Sequence, residues 1–179
     1  RNNEFEGSVH YAEQAISKAL LITDSNRNFQ VKASYMLLAN IYIRKEMLDK
    51  GLPVLLKADS TPSDKSTRKP ELFIAQTFVN LYTQLNNFPK AIESSQKLLR
   101  LAKELNMEQQ LIGAYASLGS VYYFLNDYRK GLTYCDSANA VLKQAKRKYL
   151  YEQQGVLGQT AQCQFALGDY GNAKSNYTR

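Results

Sequence analysis

The side chains that could do acid–base, nucleophilic or metal chemistry are few and scattered in this chain of 179 residues. There is one histidine, His10. A lone histidine supplies neither a zinc site nor a histidine-based nucleophile relay, both of which need several converging groups. The carboxylates fall singly, and no two are spaced as a general acid/base couple. No glycine-rich phosphate loop of the dinucleotide or Walker type is present. The two cysteines, Cys135 and Cys163, occupy helix packing slots and read first as small buried residues; a disulfide between them stays open, and with it the redox compartment. The pattern points away from an enzyme, and it calls for no metal and no cofactor.

What the chain does contain is a periodic pattern. Tyr115, Leu118, Gly119 and Tyr122 stand at i, i+3, i+4 and i+7 and share one helix face. Gly119 lets a neighbouring backbone approach. Asn126-Asp127 suits a turn and a helix N-cap, and a second stripe follows at Tyr128, Gly131, Leu132, Cys135 and Ala138. Two amphipathic helices joined by so short a turn lie antiparallel. The same slots recur at Tyr35/Leu38/Ala39/Tyr42, at Ala75/Phe78/Val79/Tyr82 and at Leu157/Thr160/Ala161/Gln164, each with its turn and second stripe. At the N-terminus only a second-helix stripe, Ala15/Ile16/Ala19/Ile22, is visible.

These motifs resemble the tetratricopeptide repeat (TPR) over residues 10–178. The copies recur about every 40 residues rather than the usual ~34, similar to the long-repeat subclass of bacterial signalling and regulatory proteins. Thr160 and Gln164 stand in slots the family keeps apolar. The resemblance implies an all-α, right-handed superhelical solenoid of antiparallel helix pairs. A lone helix is expected over 8–22, capped by Ser8, and pairs over 28–60, 67–105, 107–145 and 149–178. The whole is read as a single TPR-like domain, 1–179. The absence of an initiator methionine, the half repeat at the start and the lack of a further capping helix predict a segment of a longer protein.

Several local features have their own expectations. Residues 1–7 read as frayed. With Asp49 as N-cap, Pro53 sits at the limit of what a first turn tolerates and predicts a late start or a bend. Residues 60–67 form the longest polar stretch and predict an exposed loop, with Thr67 capping the next helix and Arg68-Lys69 in that loop. Asn106 suits a left-handed helix stop. No apolar run is long enough for a transmembrane helix. The net charge of +7 favours acidic partners mildly. Its densest cluster, Lys143, Lys146, Arg147 and Lys148, falls at a helix C-terminus, where cations complement the helix dipole. Thirteen tyrosines sit largely in packing slots, which argues against a base-stacking platform for nucleic acid.

In the TPR family the first helix of each pair lines the concave surface. That implies a row of neutral hydrogen-bonding side chains, Asn40, Asn80, Ser120 and Gln162, flanked by Met36, Ile43, Arg44, Gln76, Thr77, Thr83, Ser117, Tyr123 and Gln159. Such a row suits an extended or helical peptide. The chaperone-tail type of TPR uses Lys and Arg from successive first helices to hold a carboxylate. Here that register offers Met36, Asn40, Thr77, Gly113 and Ser117, so the cationic clamp is missing. The expected function is a non-catalytic protein- or peptide-binding scaffold, by analogy the extracytoplasmic (periplasmic) sensor segment of a bacterial membrane-anchored regulator, with a cytoplasmic location as the alternative. Structural self-association is the alternative, and nucleic-acid binding through the basic cluster a remote one.

Overall fold

The computed structural model describes residues 2–178, with side chains from residue 4 onward, and its regular elements are all helical. In chain order they are α1 Asn2–Leu20, α2 Arg27–Arg44, α3 Leu48–Ser60, a 3-10 turn Lys65–Thr67, α4 Arg68–Gln84, α5 Phe88–Glu104, α6 Glu108–Phe124, α7 Tyr128–Gln144, α8 Leu150–Ala166 and α9 Tyr170–Tyr177. Among them α2 packs with α3, α6 with α7 and α8 with α9.

One turn geometry recurs four times. Each first helix ends in a residue with positive φ: Glu46 at 59°, Asn86 at 54°, Asn126 at 61° and Gly168 at 81°. That left-handed residue reverses the chain and lets the next N–H reach back to the last turn. Asp127 N–H donates to the Tyr122 carbonyl at 2.9 Å, Asn87 to Tyr82 at 2.8 Å, Met47 to Tyr42 at 3.0 Å and Asp169 to Gln164 at 2.9 Å. Carbonyls that the helix end would orphan are thereby satisfied. The following residue then caps the second helix: the side chains of Asn87, Asp127 and Asp169 accept from the backbone N–H groups of Lys90, Lys130 and Asn172. Asn106, at 52°, stops α5 in the same left-handed way.

Small residues set how closely the paired helices cross. A Cβ on Gly131 would lie 3.1 Å from the Gly119 carbonyl and 3.0 Å from Cys163 Sγ; one on Gly119 would lie 2.8 Å from Cys135 Sγ. Helices α6 and α7 therefore meet backbone to backbone at two glycines, as the Gly119 slot predicts. Gly51 plays the part in α3, where a Cβ would meet Ile43 Cγ1 at 2.8 Å.

The chain forms two compact units, Arg1–Leu81 and Tyr82–Arg179, with the division inside α4. In the first, α1 packs on α2, and α2 on α3 and the 3-10 turn. Its core includes Ala12, Ile16 and Leu38, with Val9, Tyr35, Ile41, Tyr42 and Val54 around them. In the second, α5 packs on α6, α6 on α7, α7 on α8, α8 on α9, and α6 also on α8. Ile112, Cys135, Ala138 and Val156 are buried together there, against Tyr115, Val141, Leu142 and Tyr149. Each fully buried Leu of these cores, such as Leu55, Leu98 or Leu118, contributes about 1.5–3 kcal/mol through removal from water.

Four local expectations need correction. Helix α1 begins at Asn2, not at a Ser8 cap; Ser8 lies within it and its hydroxyl donates to the Glu4 carbonyl at 2.7 Å. The N-cap of α3 is Met47 rather than Asp49, so Pro53 lies inside the helix. Arg68 and Lys69 form the first turn of α4 rather than loop, and Arg68 pairs with Glu71 at 3.2 Å. The stretch before α4 is organised by Asp64, whose side chain caps the 3-10 turn at Ser66 and Thr67. Thr67 is buried; its hydroxyl accepts from the Asp64 N–H at 2.9 Å and reaches Glu71 Oε1 at 2.8 Å.

Candidate functional site

The first helices carry the residues expected to bind. In the second unit these are α6 and α8, which touch along their lengths. Ser120 of α6 donates to Gln159 Oε1 of α8 at 3.0 Å. Nearer the helix starts, Gln109 Nε2 donates to Glu152 Oε1 at 2.6 Å and the Tyr149 hydroxyl to Glu108 Oε2 at 3.2 Å. Burial, reinforced by that bond to Glu108, raises the Tyr149 pKa and keeps its phenol protonated. Three polar bridges thus hold the two helices in register. Ser117 is half-buried beside this seam and Gln162 is exposed.

The tyrosine slot is closed rather than available. Tyr122 stacks on Tyr134 at 5.4 Å, and Lys130 Nζ covers its ring at 5.3 Å; Lys90 covers Tyr82 at the same distance. A lysine near the start of each of these second helices shields the ring that ends the first-helix stripe. Tyr123 is half-buried and packs edge-on against Phe124 at 5.8 Å and against Tyr128 at 5.5 Å. It belongs to an aromatic knot at the α6–α7 turn that also includes the stacked Phe88–Phe124 pair at 6.0 Å.

In the first unit, α2 presents Met36, Asn40 and Ile43 half-buried and Arg44 exposed, while α4 presents Gln76 and Thr77 half-buried and Asn80 exposed. The Thr77 hydroxyl donates to the Phe73 carbonyl of its own helix at 2.9 Å. Of the residues singled out in the sequence, the structure brings Ser120 and Gln159 together directly. The bridges Gln109–Glu152 and Tyr149–Glu108 were missed, although each pair sits roughly one repeat apart, the spacing that aligns equivalent turns of successive first helices.

The first unit also holds a buried ionic cluster. Lys32 is fully buried on α2, and its ammonium donates to the carbonyls of Ala58 at 3.3 Å and Asp59 at 3.4 Å, the C-terminal end of α3. Glu71 of α4 is 5 % exposed. Burial pushes its pKa up, but hydrogen bonds from Ser63, Thr67 and Arg68, and the Lys32 charge, outweigh this and hold it below the ordinary glutamate value. A charge removed from water persists only when paired in this way. Nothing in the local pattern around Lys32 announces it, because the carbonyls it donates to lie on α3.

Other titratable groups stand apart. His10 is exposed on α1, 3.0 Å from Gln14. Lys143, Lys146, Arg147 and Lys148 are all exposed at the α7–α8 connection, and Arg147 sits 6.0 Å from the Tyr149 ring centre. Cys135 and Cys163 are free and buried. Among the described residues no three His, Cys, Asp or Glu side chains come together as metal ligands, and no helix is long and apolar enough to cross a membrane.

No protein-family model matches the sequence, and no curated protein matches it. Solved structures do resemble it in fold. BtubC from P. vanneervenii superposes over 99% of this chain and 72% of its own, with a TM-score of 0.89 and 18% identity. RapI covers 99% of this chain with a TM-score of 0.83 and 15% identity, and the chain spans 63% of its length. A Podosopora anserina protein of nearly identical TPR-like repeats superposes over 99% of this chain and 85% of its own, with a TM-score of 0.72 and 14% identity. The fold is therefore the TPR-like one: an all-α solenoid fold of antiparallel helix pairs.

Proposed function

We propose that the chain is a non-catalytic scaffold that binds a protein or peptide segment on the faces of its first helices. The observation that supports this best is the α6–α8 face. There, neutral amide and hydroxyl side chains, Ser117, Ser120, Gln159 and Gln162, border a seam fixed by three cross-helix hydrogen bonds. Donors and acceptors of this kind pair with a peptide backbone whatever its charge, and a face held in register in advance loses little entropy on binding. The α2 and α4 faces of the first unit offer Asn40, Asn80, Gln76 and Thr77 in the same register, with Arg44 as a cation.

Peptides selected from a random displayed library against residues 1–179, titrated by fluorescence anisotropy, test the reading. Asn80→Ala and Gln162→Ala should each weaken binding about fivefold, the worth of one hydrogen bond. Glu93→Ala, on the exposed side of second helix α5, should leave it unchanged. Peptides sensitive to Glu93→Ala and indifferent to the other two would place binding elsewhere.

In the finer form of this proposal the scaffold is the extracytoplasmic sensor segment of a bacterial membrane-anchored regulator. That form rests on the resemblance of the long repeat to bacterial signalling arrays. The complete reading frame tests it. A signal peptide upstream and a membrane helix with a kinase or helix-turn-helix module downstream are the expected findings, and a frame without them contradicts it. A second reading, self-association, is favoured by the apolar exposure of the α8–α9 pair: Tyr151 is 85 % exposed and Leu150 65 %, with Phe165, Tyr170 and Tyr177 also open. It predicts a mass that rises with concentration in analytical ultracentrifugation.

A further inference from the structure

The buried thiols sit together where three helices meet. Cys135 of α7 lies over Gly119 of α6, and Cys163 of α8 lies over Gly131 of α7; Cβ atoms at those glycines would stand 2.8 and 3.0 Å from the respective sulfurs. Both cysteines are free and fully buried, and their sulfurs lie against successive turns of the same α6–α7 crossing, one beside Gly119 and one beside Gly131. Gln159, which already receives the Ser120 hydroxyl, turns its amide N–H toward Cys163 Sγ at 3.9 Å. Thr160, whose hydroxyl donates to the Val156 carbonyl at 2.7 Å, stands one helical turn before Cys163 on α8. Thr160 also lines an open groove of about 880 Å³ between α7, α8 and α9, with Asp136, Leu157 and Gln164. The groove thus opens one helical turn from Cys163.

We propose that Cys135 and Cys163 form an oxidation site that closes to an α7–α8 disulfide when a small hydroperoxide enters through the Thr160 groove. Cys163 is the attacking sulfur. The Gln159 amide N–H is turned toward it, and the neighbouring Cys135 thiol outweighs burial and holds Cys163 below the ordinary cysteine value, while Cys163 and burial push Cys135 up. With hydrogen peroxide, the Cys163 thiolate attacks one peroxide oxygen, the O–O bond breaks, and the departing hydroxide takes up a proton as water. Cys163 is then a sulfenic acid. The Cys135 sulfur, losing its proton, attacks Cys163 Sγ, the S–O bond breaks and a second water leaves. Two thiols and one peroxide give one disulfide and two waters.

Intact-mass measurement of residues 1–179 after titration with hydrogen peroxide tests this. The expected result is a monomer lighter by two hydrogen atoms at one equivalent, reversed by dithiothreitol, with both thiols lost together. Cys135→Ser should instead trap a sulfenic acid at Cys163 that dimedone labels, and Cys163→Ser should slow thiol loss about tenfold. Loss of one thiol without the other in the unaltered chain, an intermolecular disulfide, or reaction only in urea would each overturn the proposal, and none depends on whether a variant folds.

Discussion

At the scale of single residues the four inter-helix turns are copies with one defective member. Asn86, Asn126 and Gly168 carry the left-handed backbone, and Asn87, Asp127 and Asp169 cap the next helix. In the α2–α3 turn the same places hold Glu46 and Met47, a residue ill suited to positive φ and a side chain that makes no cap bond. Glu46→Gly should therefore stabilise the chain by about 1 kcal/mol through relief of left-handed strain. Met47→Asp should add about 1 kcal/mol through the missing cap. Urea midpoints measure both, and a fall in either midpoint would mean that the turn is held by contacts other than its backbone geometry. The asparagines and aspartates at the other three turns are what make the repeat legible in sequence, because these residue types serve turns and caps by a local mechanism. The burial of Lys32 was illegible for the converse reason: the carbonyls that receive its ammonium are delivered by α3, far along the chain.

At the scale of elements, the Gly119–Gly131 crossing fixes the spacing of α6 and α7. Gly131→Ala should cost about 2 kcal/mol, since its Cβ meets backbone oxygen and a buried sulfur, neither of which can swing aside. The same change at Gly113, which has open space around its Cβ position, should stabilise α6 by up to about 1 kcal/mol. Differential calorimetry on the two variants separates them, and equal effects would contradict the crossing. The packing of α2, α3 and α4 should respond to acid through Glu71. Its pKa is lowered in the folded chain, so its contribution is complete above the ordinary glutamate value of 4.5 and is lost as pH falls through the folded value beneath it. Hydrogen exchange in α2 and α4 should accelerate in that window. Glu71→Gln, which removes the buried carboxylate held by Thr67 and Arg68, should already be destabilised by about 2 kcal/mol at pH 7. Exchange that stays flat to lower pH would remove Glu71 from the account. The pairing of helices was readable from the tyrosine and small-residue stripes. The start of α1 was not, because residues 2–7 carry polar and glycine residues that local propensity alone does not commit to helix.

At the scale of the whole molecule the sequence pattern specifies a TPR-like array. The first-helix residues it singles out lie where a ligand could reach some of them: Asn80 and Gln162 are exposed, Asn40 and Ser117 half-covered, and Ser120 is engaged with Gln159. The central claim is that binding belongs to first helices and not to second ones. It is tested most directly by two-dimensional amide and side-chain NMR of residues 1–179 titrated with a selected peptide. The account predicts saturable shifts concentrated at Ser117, Ser120, Gln159 and Gln162 on α6 and α8 and at Asn40, Gln76 and Asn80 on α2 and α4, with the outward positions of α5 and α7 unmoved. Shifts confined to α5, α7 or the exposed apolar residues of α8–α9 would contradict it.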